Sequence, residues 1–305
     1  MTRQRSVPLV QLTAPVLVAL AALTACGTST ATPDAEQVST FATSSGDRSD
    51  TAAETRNEEA ALTLFESAFT AEEPSAARDA VASVVAENAV DRPGPAVGPD
   101  AIVDRFEAIR ARVPGARAVV KHVAADGKWV AVHWQATADP ASETTGEANI
   151  DLFAFQGGKV AEHWAMTQSV PPTSVSGNSM FSDLYSYPTG PTAPTEDQEE
   201  RQRASVVATY DALFREHDAS VLSTDFAPTY VQHNPIAGNG TEALQQFFAG
   251  GVQFPASESV VSLADGDLVW TFAKAPGAAE SDPFVAGDIF RVDGNIVEHW
   301  DVVPE

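Results

Sequence analysis

The chain has 305 residues, 44% of them hydrophobic, and a formal net charge of −24. That length accommodates about two domains with cores of their own, and a field this acidic repels phosphates and anionic headgroups, so no nucleic-acid partner is expected. The single cysteine, Cys26, excludes an intrachain disulfide and a cysteine-based zinc centre.

Residues 1–25 form a segment of their own. Arg3 and Arg5 precede an apolar run from Val7 to Ala22, too short for a membrane span and of the right length for a secretory signal. Leu23-Thr24-Ala25-Cys26 resembles the lipobox of bacterial lipoproteins, which implies lipidation of Cys26 and a protein held at the outer face of the cytoplasmic membrane. Residues 26–55 are rich in Ser, Thr, Ala, Asp and Glu, with too little apolar surface to offset chain entropy, and read as a disordered tether.

A first folded region is expected over 56–169. Ala61, Leu62, Phe65 and Phe69 fall at helical spacing, Pro74 opens a second helix lined by Ala80, Val81, Val84 and Val85, and a third helix covers 99–112 after a turn-rich stretch at 91–98. Strands are expected at 116–124, 129–138, 148–155 and 159–168. Residues 170–195, with Pro171, Pro172, Pro188, Pro191 and Pro194, read as a linker. Its Phe181, Leu184, Tyr185 and Tyr187 are unusual for a free linker and suggest docking on a domain.

The second folded region, 196–305, repeats the order. Thr195 and Gln198 have capping-box spacing, and Val206, Tyr210, Leu213 and Phe214 line a helix. A short helix at 219–226 and another at 241–248 precede strands at 258–263, 268–273, 284–292 and 295–303. Helices followed by a mainly antiparallel meander define an α+β class, with the helices on one face of a curved sheet.

The last two strands organise the chemistry. Asp293-Gly294 reads as a two-residue hairpin loop that pairs Val292 with Asn295 and sets Asp288 opposite His299. Alternation then places Asp288, Phe290, Val297, His299 and Asp301 on one face, and Ile289, Arg291, Ile296, Glu298 and Trp300 on the other. Two carboxylates and an imidazole among apolar groups are a setting in which burial shifts proton affinity. The plainer reading of Asp288 and His299 is a cross-strand pair that fixes register. Asp151 to Trp164 repeats the pattern, including Glu162-His163-Trp164, so the chain reads as two copies of one domain.

Tyr230-Val231-Gln232-His233-Asn234-Pro235, the helix start at Gly240-Thr241-Glu242-Ala243-Leu244, Asp288-Ile289-Phe290-Arg291-Val292 and Ile296 to Val302 together resemble the SnoaL-like polyketide cyclase family, of the nuclear-transport-factor-2-like superfamily. The first copy resembles it through Gly98 to Ile102, Trp129 to His133, Asp151 to Phe153 and Glu162 to Trp164. The resemblance implies two tandem cone-shaped domains, each with a pocket between helices and sheet. It also implies cofactor-free and metal-free aldol ring closure, or isomerase-type chemistry, in which an Asp acts as acid and base with help from His. On that basis Asp301 is the acid/base candidate, with His233, His299 and Asp288 as its partners. Phe290, Phe272, Tyr230, His133, His163 and Asp151 are binding candidates for a small apolar or carbonyl-containing molecule. Within the resemblance, the first copy has Glu87 where the second has His233 and Ala165 where it has Asp301, so the second is favoured for activity.

Trp164 and Trp300 alternate away from the pocket face, and large apolar groups there call for cover. An intramolecular pseudo-dimer of the two copies is expected to supply it. Two functions stay open: a cofactor-free enzyme, or a non-catalytic lipoprotein that binds a small ligand or another protein. A metal site built from His233, His299 and Asp288 or Asp301 is a further possibility without supporting spacing. Replacing Cys26 by Ser should move the protein from the detergent phase to the aqueous phase on Triton X-114 partitioning; unchanged partitioning would rule the anchor out.

Overall fold

The first helix owes its start to a local exchange of hydrogen bonds. The Glu54 backbone N–H donates to the Thr51 hydroxyl and the Thr51 N–H to the Glu54 carboxylate, a capping box that opens α1 (Ala52–Thr63). The helix runs on as a wider turn through Leu64–Phe69, burying Leu64, Phe65 and Phe69. These positions belong to a computed structural model that describes residues 51–250 and 254–304. The signal segment, Cys26 and most of the tether lie outside the described residues.

Pro74 opens α2 (Pro74–Val84), as its fixed φ and missing N–H favour. At Val85, expected to line this helix, the chain leaves it and becomes β1 (Val85–Arg92), a strand the sequence reading did not place. α3 (Pro99–Arg112) follows, then β2 (Arg117–Asp126), β3 (Trp129–Thr137), β4 (Glu147–Gln156) and β5 (Lys159–Ser169). The five strands lie in the order β1-β5-β4-β3-β2, with β1 parallel to β5 and the rest antiparallel. The sheet is therefore mixed, because β1 returns to the edge of the meander after the helices.

The second copy repeats this. α4 (Glu196–Tyr210) opens where the Thr195 N–H donates to the Gln198 side chain at 2.8 Å. A single tight turn, Ala219–Ser223, replaces the helix expected to reach 226, because the next residues are already β6 (Phe226–Gln232). α5 (Thr241–Ala249), β7 (Glu258–Asp265), β8 (Leu268–Lys274), β9 (Ala286–Asp293) and β10 (Asn295–Val302) complete it. The order β6-β10-β9-β8-β7, with β6 parallel to β10, matches the first sheet strand for strand. Each copy is an α+β domain with its helices on one face of a five-stranded mixed sheet.

The final hairpin corrects the register read from sequence. Gly294, at φ 73°, turns the chain alone, so Asn295 pairs with Asp293 and Ile296 with Val292. Only a residue without Cβ accepts that backbone cheaply. A bulge at Val297 then shifts the ladder by one residue, and Asp288 lies opposite Asp301, with His299 opposite Phe290. Ile296, expected on the back of the sheet, joins the inner core beside Phe290. The first copy has a comparable bulge at Ala161, between the Ala154–Glu162 and Phe155–Val160 pairs.

Inner faces pack under their own helices; outer faces pack on each other. Ile150, Leu152, Trp164 and Met166 of the first sheet form one buried cluster with Leu268, Trp270, Phe272, Ile289 and Trp300 of the second. Met180 and Phe181 of the connecting segment are buried in the same cluster. Contact is close enough that a Cβ on Gly287 would stand 2.8 Å from the Met166 methyl group.

One fully buried carboxylate lies at this contact. Glu298 accepts from the backbone N–H groups of Leu184 (2.7 Å) and Tyr185 (3.2 Å), from His233 Nε2 (3.0 Å) and from Arg291 Nε (3.0 Å). Arg291 also bonds Asp183 and Asp267, and Tyr187 joins it through its hydroxyl. The connecting segment is thus pinned by buried charge as well as by Phe181. Glu298→Ala would leave Arg291 Nε, His233 Nε2 and two backbone N–H groups without their acceptor, and a loss of about 3–5 kcal/mol is expected. Urea unfolding monitored by tryptophan fluorescence checks this, and an unchanged midpoint would contradict it.

Candidate functional site

In the second copy the inner face is not filled. A cavity of about 270 Å³ lies between the sheet and the helices. Its walls include Tyr210, Leu213, Phe214, Phe226, Leu244 and Phe290, with Phe247, Phe248 and Phe254 completing the aromatic lining. Polar groups converge at one end, where Asp288, His299, Asp301, Gln232 and Asn234 reach it from β9, β10, β6 and the loop after β6. No Lys or Arg lines it among the described residues. A mostly apolar pocket with a few convergent polar groups is the common form of a small-molecule site.

Hydrogen bonds fix most of those groups. Gln232 Oε1 accepts from the Asn234 backbone N–H at 2.8 Å, which sets the orientation of the Gln232 amide. The same oxygen lies 3.0 Å from His299 Nδ1, so that nitrogen carries a proton. His299 Nε2 faces Asp288 Oδ1 at 3.0 Å and shares a proton with it. Asn234 is oriented in turn by the Ile236 N–H and donates to Asp301 Oδ2 at 2.6 Å. Two oxygens remain without partners: Asp288 Oδ2 and Asp301 Oδ1, both buried.

Burial pushes the Asp301 carboxyl up to about 6, and the neighbouring Asp288 charge adds to this while His299 and the Asn234 hydrogen bond oppose it. A base poised near neutrality, with a free oxygen, suits abstraction of a proton next to a carbonyl. Asp288, His299 and Asp301 each present an atom within 4.8 Å of the other two, a spacing that could also hold a divalent cation. The second imidazole of a two-His facial triad is missing from it, since His233 lies elsewhere.

Several sequence candidates are brought together, and others are separated. Asp301, His299, Asp288, Phe290 and Tyr230 all line the cavity. His233 does not: it faces the opposite side, with Nδ1 on the Ser179 carbonyl, Nε2 on Glu298 and its ring stacked on Trp300 at 4.9 Å. Strand alternation explains this, because Tyr230 and Gln232 point inward and the next residue must point out. Phe272 and His133, which occupy equivalent positions, lie on the outer faces. Phe272 packs in the inter-sheet cluster. His133 stacks on Phe181 and bonds His122. Burial and then the His122 charge hold the His133 imidazole well below its ordinary value. Gln232 and Asn234 were not singled out in the sequence, although the inward alternation of β6 from Tyr230 already pointed to Gln232.

The first copy carries the same framework with different contents: Trp134 fills the space beside its Asp–His pair, and a cavity of about 330 Å³ lies against α3, lined by Asp91, Arg105, Ile109, Arg112 and Thr167. His163 bonds Asp151 at 2.6 Å and Asp91 at 2.8 Å. Asp151 also accepts from the Trp134 indole, and Asp91 from Arg105. Burial alone would lower the His163 imidazole, but the bonds to Asp151 and Asp91 outweigh it and hold it above its ordinary value. Trp134 occupies the position that Ala273 has in the second copy, and packs on Phe65 and Phe69 at 5.1 Å each. The strand pairing also corrects the alignment of the copies. Arg92, not Glu87, matches His233, and Asp91 matches Gln232. The register shifts within the β1 and β6 ladders hide that match in sequence. In both copies this outward residue pairs with the buried-face glutamate: Arg92 with Glu162 at 2.9 Å, His233 with Glu298 at 3.0 Å.

The family model for SnoaL-like polyketide cyclases matches residues 59–173, and one for SnoaL-like domains matches residues 206–299. No curated protein matches the chain. Among solved structures, a candidate isomerase of the SnoaL-like family from Agrobacterium tumefaciens is similar at 21% identity, over 38% of this chain and 99% of that one, with a TM-score of 0.32. A candidate SnoaL-like polyketide cyclase from Jannaschia sp. CCS1 is similar at 18% identity, over 39% and 90%, with a TM-score of 0.33. Among the described residues no helix is long and apolar enough to cross a membrane.

The raised proton affinity of Asp301 makes a stability prediction. A carboxyl bound more tightly to its proton when folded contributes most below its ordinary value of 3.8, and that contribution is lost as pH rises through about 6. Asp301→Asn removes the cost of ionisation. The variant should melt above the parent at about pH 7.5, by an amount on the order of 1–3 kcal/mol, and the difference should fade towards about pH 4. Differential scanning calorimetry at the two pH values checks the sign.

Proposed function

The chain carries two SnoaL-like domains in tandem, and from that premise we propose that the second is a cofactor-free acid/base enzyme of the cyclase or isomerase type. Its substrate is a neutral, largely apolar carbonyl compound. The observation that carries this is the free Asp301 oxygen, buried at the polar end of an apolar cavity and held near neutral proton affinity.

Asp301 Oδ1 takes a proton from the carbon beside the carbonyl; the C–H electron pair becomes the new C=C bond, and the carbonyl π pair moves to oxygen. Asp301 can return the proton to a different carbon, which is isomerisation. The nucleophilic carbon can instead attack a second carbonyl of the same molecule, forming a C–C bond, with Asp301 protonating the new alkoxide, which is aldol ring closure. Asp288 supports the ionisation balance of Asp301 by its charge, and His299, held between Gln232 and Asp288, fixes Asp288 in place. The absence of Lys and Arg from the lining disfavours carboxylate or phosphate substrates.

The first copy acts in this reading as a fixed partner. Its equivalent acid and imidazole satisfy one another around Trp134, and its cavity of about 330 Å³ is lined by Arg105 and Arg112, unlike the second copy's apolar one. Export and anchoring through lipidated Cys26 complete the proposal and place the reaction outside the cytoplasm.

Deuterium incorporation at the α-carbon of 2-tetralone and 1-indanone in D₂O, followed by NMR, tests it. The wild type should catalyse exchange with a rate that rises with pH through about 6. Asp301→Asn should lose about 10²–10⁴-fold in rate while still binding the ketones. If the wild type exchanges no faster than Asp301→Asn, the catalytic reading is wrong and a binding role replaces it.

A further inference from the structure

An enolate formed by Asp301 needs a hydrogen-bond donor at its oxygen, and the groups discussed so far supply only acceptors to the cavity. Asp288 Oδ2 and Asp301 Oδ1 are free acceptors. Asn234 Nδ2 is committed to Asp301, and His299 Nδ1 to Gln232. The donor can be found from the orientation of one amide.

Gln232 Oε1 faces the Asn234 N–H, so its Nε2 is the end that reaches the Tyr230 hydroxyl, at 2.9 Å. An amide nitrogen can only donate, so the Tyr230 oxygen is the acceptor in that bond, and its own proton must point elsewhere. Tyr230 lines the cavity, is 1% exposed, and no acceptor for that proton is found among the described residues. Its ring lies 6.4 Å from the His299 ring, on the same inner face as the acid cluster.

We propose that Tyr230 is a further catalytic residue, whose hydroxyl donates to the carbonyl oxygen of the substrate and stabilises the enolate, and that Gln232 is the positioning residue that aims it. This rests on the acid/base reading of Asp301 and supplies its missing half. Burial, and then the charges of Asp301 and Asp288, hold the phenol well above its ordinary value, so it donates a hydrogen bond without giving up its proton. Gln232 therefore links both sides of the reaction: one end of its amide fixes the protonated nitrogen of His299, and the other fixes the direction of the Tyr230 O–H. The second cavity tyrosine is differently placed, with its hydroxyl 3.3 Å from the Ser257 hydroxyl.

The test uses the full chain and the same ketone exchange. Tyr230→Phe keeps the ring and should lower kcat about a hundredfold, the usual effect of deleting one oxyanion donor, with KM little changed. Its rate should still rise through the same pH window, because Asp301 is untouched. Tyr185→Phe, the control, removes a hydroxyl that bonds Asp293 outside the cavity and should stay within a few-fold of wild type. Gln232→Leu should lose rate through both links. Exchange by Tyr230→Phe at the wild-type rate, while Asp301→Asn is inactive, overturns the role of Tyr230 and leaves Asp301 standing. No exchange by the wild type overturns both.

Discussion

A single strand, β10, serves two unrelated sites, and the rest of the molecule is arranged around that alternation. Beyond the bulge at Val297, His299 and Asp301 point into the cavity, while Glu298 and Trp300 point into the contact between the two sheets. A shift by one residue would exchange the two sets, placing an imidazole and a carboxylate in the domain contact and a tryptophan in the cavity. Register is therefore held from both sides. Glu298 is bonded by Arg291, His233 and two backbone N–H groups on one face, and His299 by Gln232 and Asp288 on the other.

The two copies show how one framework divides its labour. Strand order, parallel edge strand, bulge and the Asp–His pair are common to both. The differences are few and local. Where the first copy has Trp134, Asp91 and Ala165, the second has Ala273, Gln232 and Asp301. The first set fills the space beside the Asp–His pair and gives both acids a partner. The second opens a cavity and leaves two carboxylate oxygens free. Unpaired buried polar atoms cost stability, so their presence at the cavity end marks a place where the fold is less than optimally stable. The paired acids of the first copy and the broad apolar contact offset that cost, and Gly287, beside Asp288, packs closely on Met166 of the first copy.

The connecting segment takes part in this. Phe181 is buried against His133 and Met180 lies in the same cluster, while Leu184 and Tyr185 donate their N–H groups to Glu298. It is proline-rich like a spacer, yet it is structured by hydrogen bonds to a charge that the fold cannot leave bare.

By itself the sequence determined the α+β order of helices and strands, the duplication, the sharp hairpin at Gly294 and the gathering of Asp288, His299 and Asp301 near one face. Those features depend on neighbours in the chain: capping at Thr195, proline at Pro74, period-two alternation, a glycine where φ is positive. Tertiary structure decided what depends on distant partners. The parallel strands β1 and β6 are short and charged or polar in part, and only pairing with the last strand of each copy makes them strands. The Val297 bulge, which moved Asp288 opposite Asp301, arises where β10 must satisfy β9 and β6 together. His233, Phe272 and His133 faced the domain contact because a second sheet was there to cover them. Gln232 gained its role only when the loop after β6 turned the Asn234 N–H back onto its side chain.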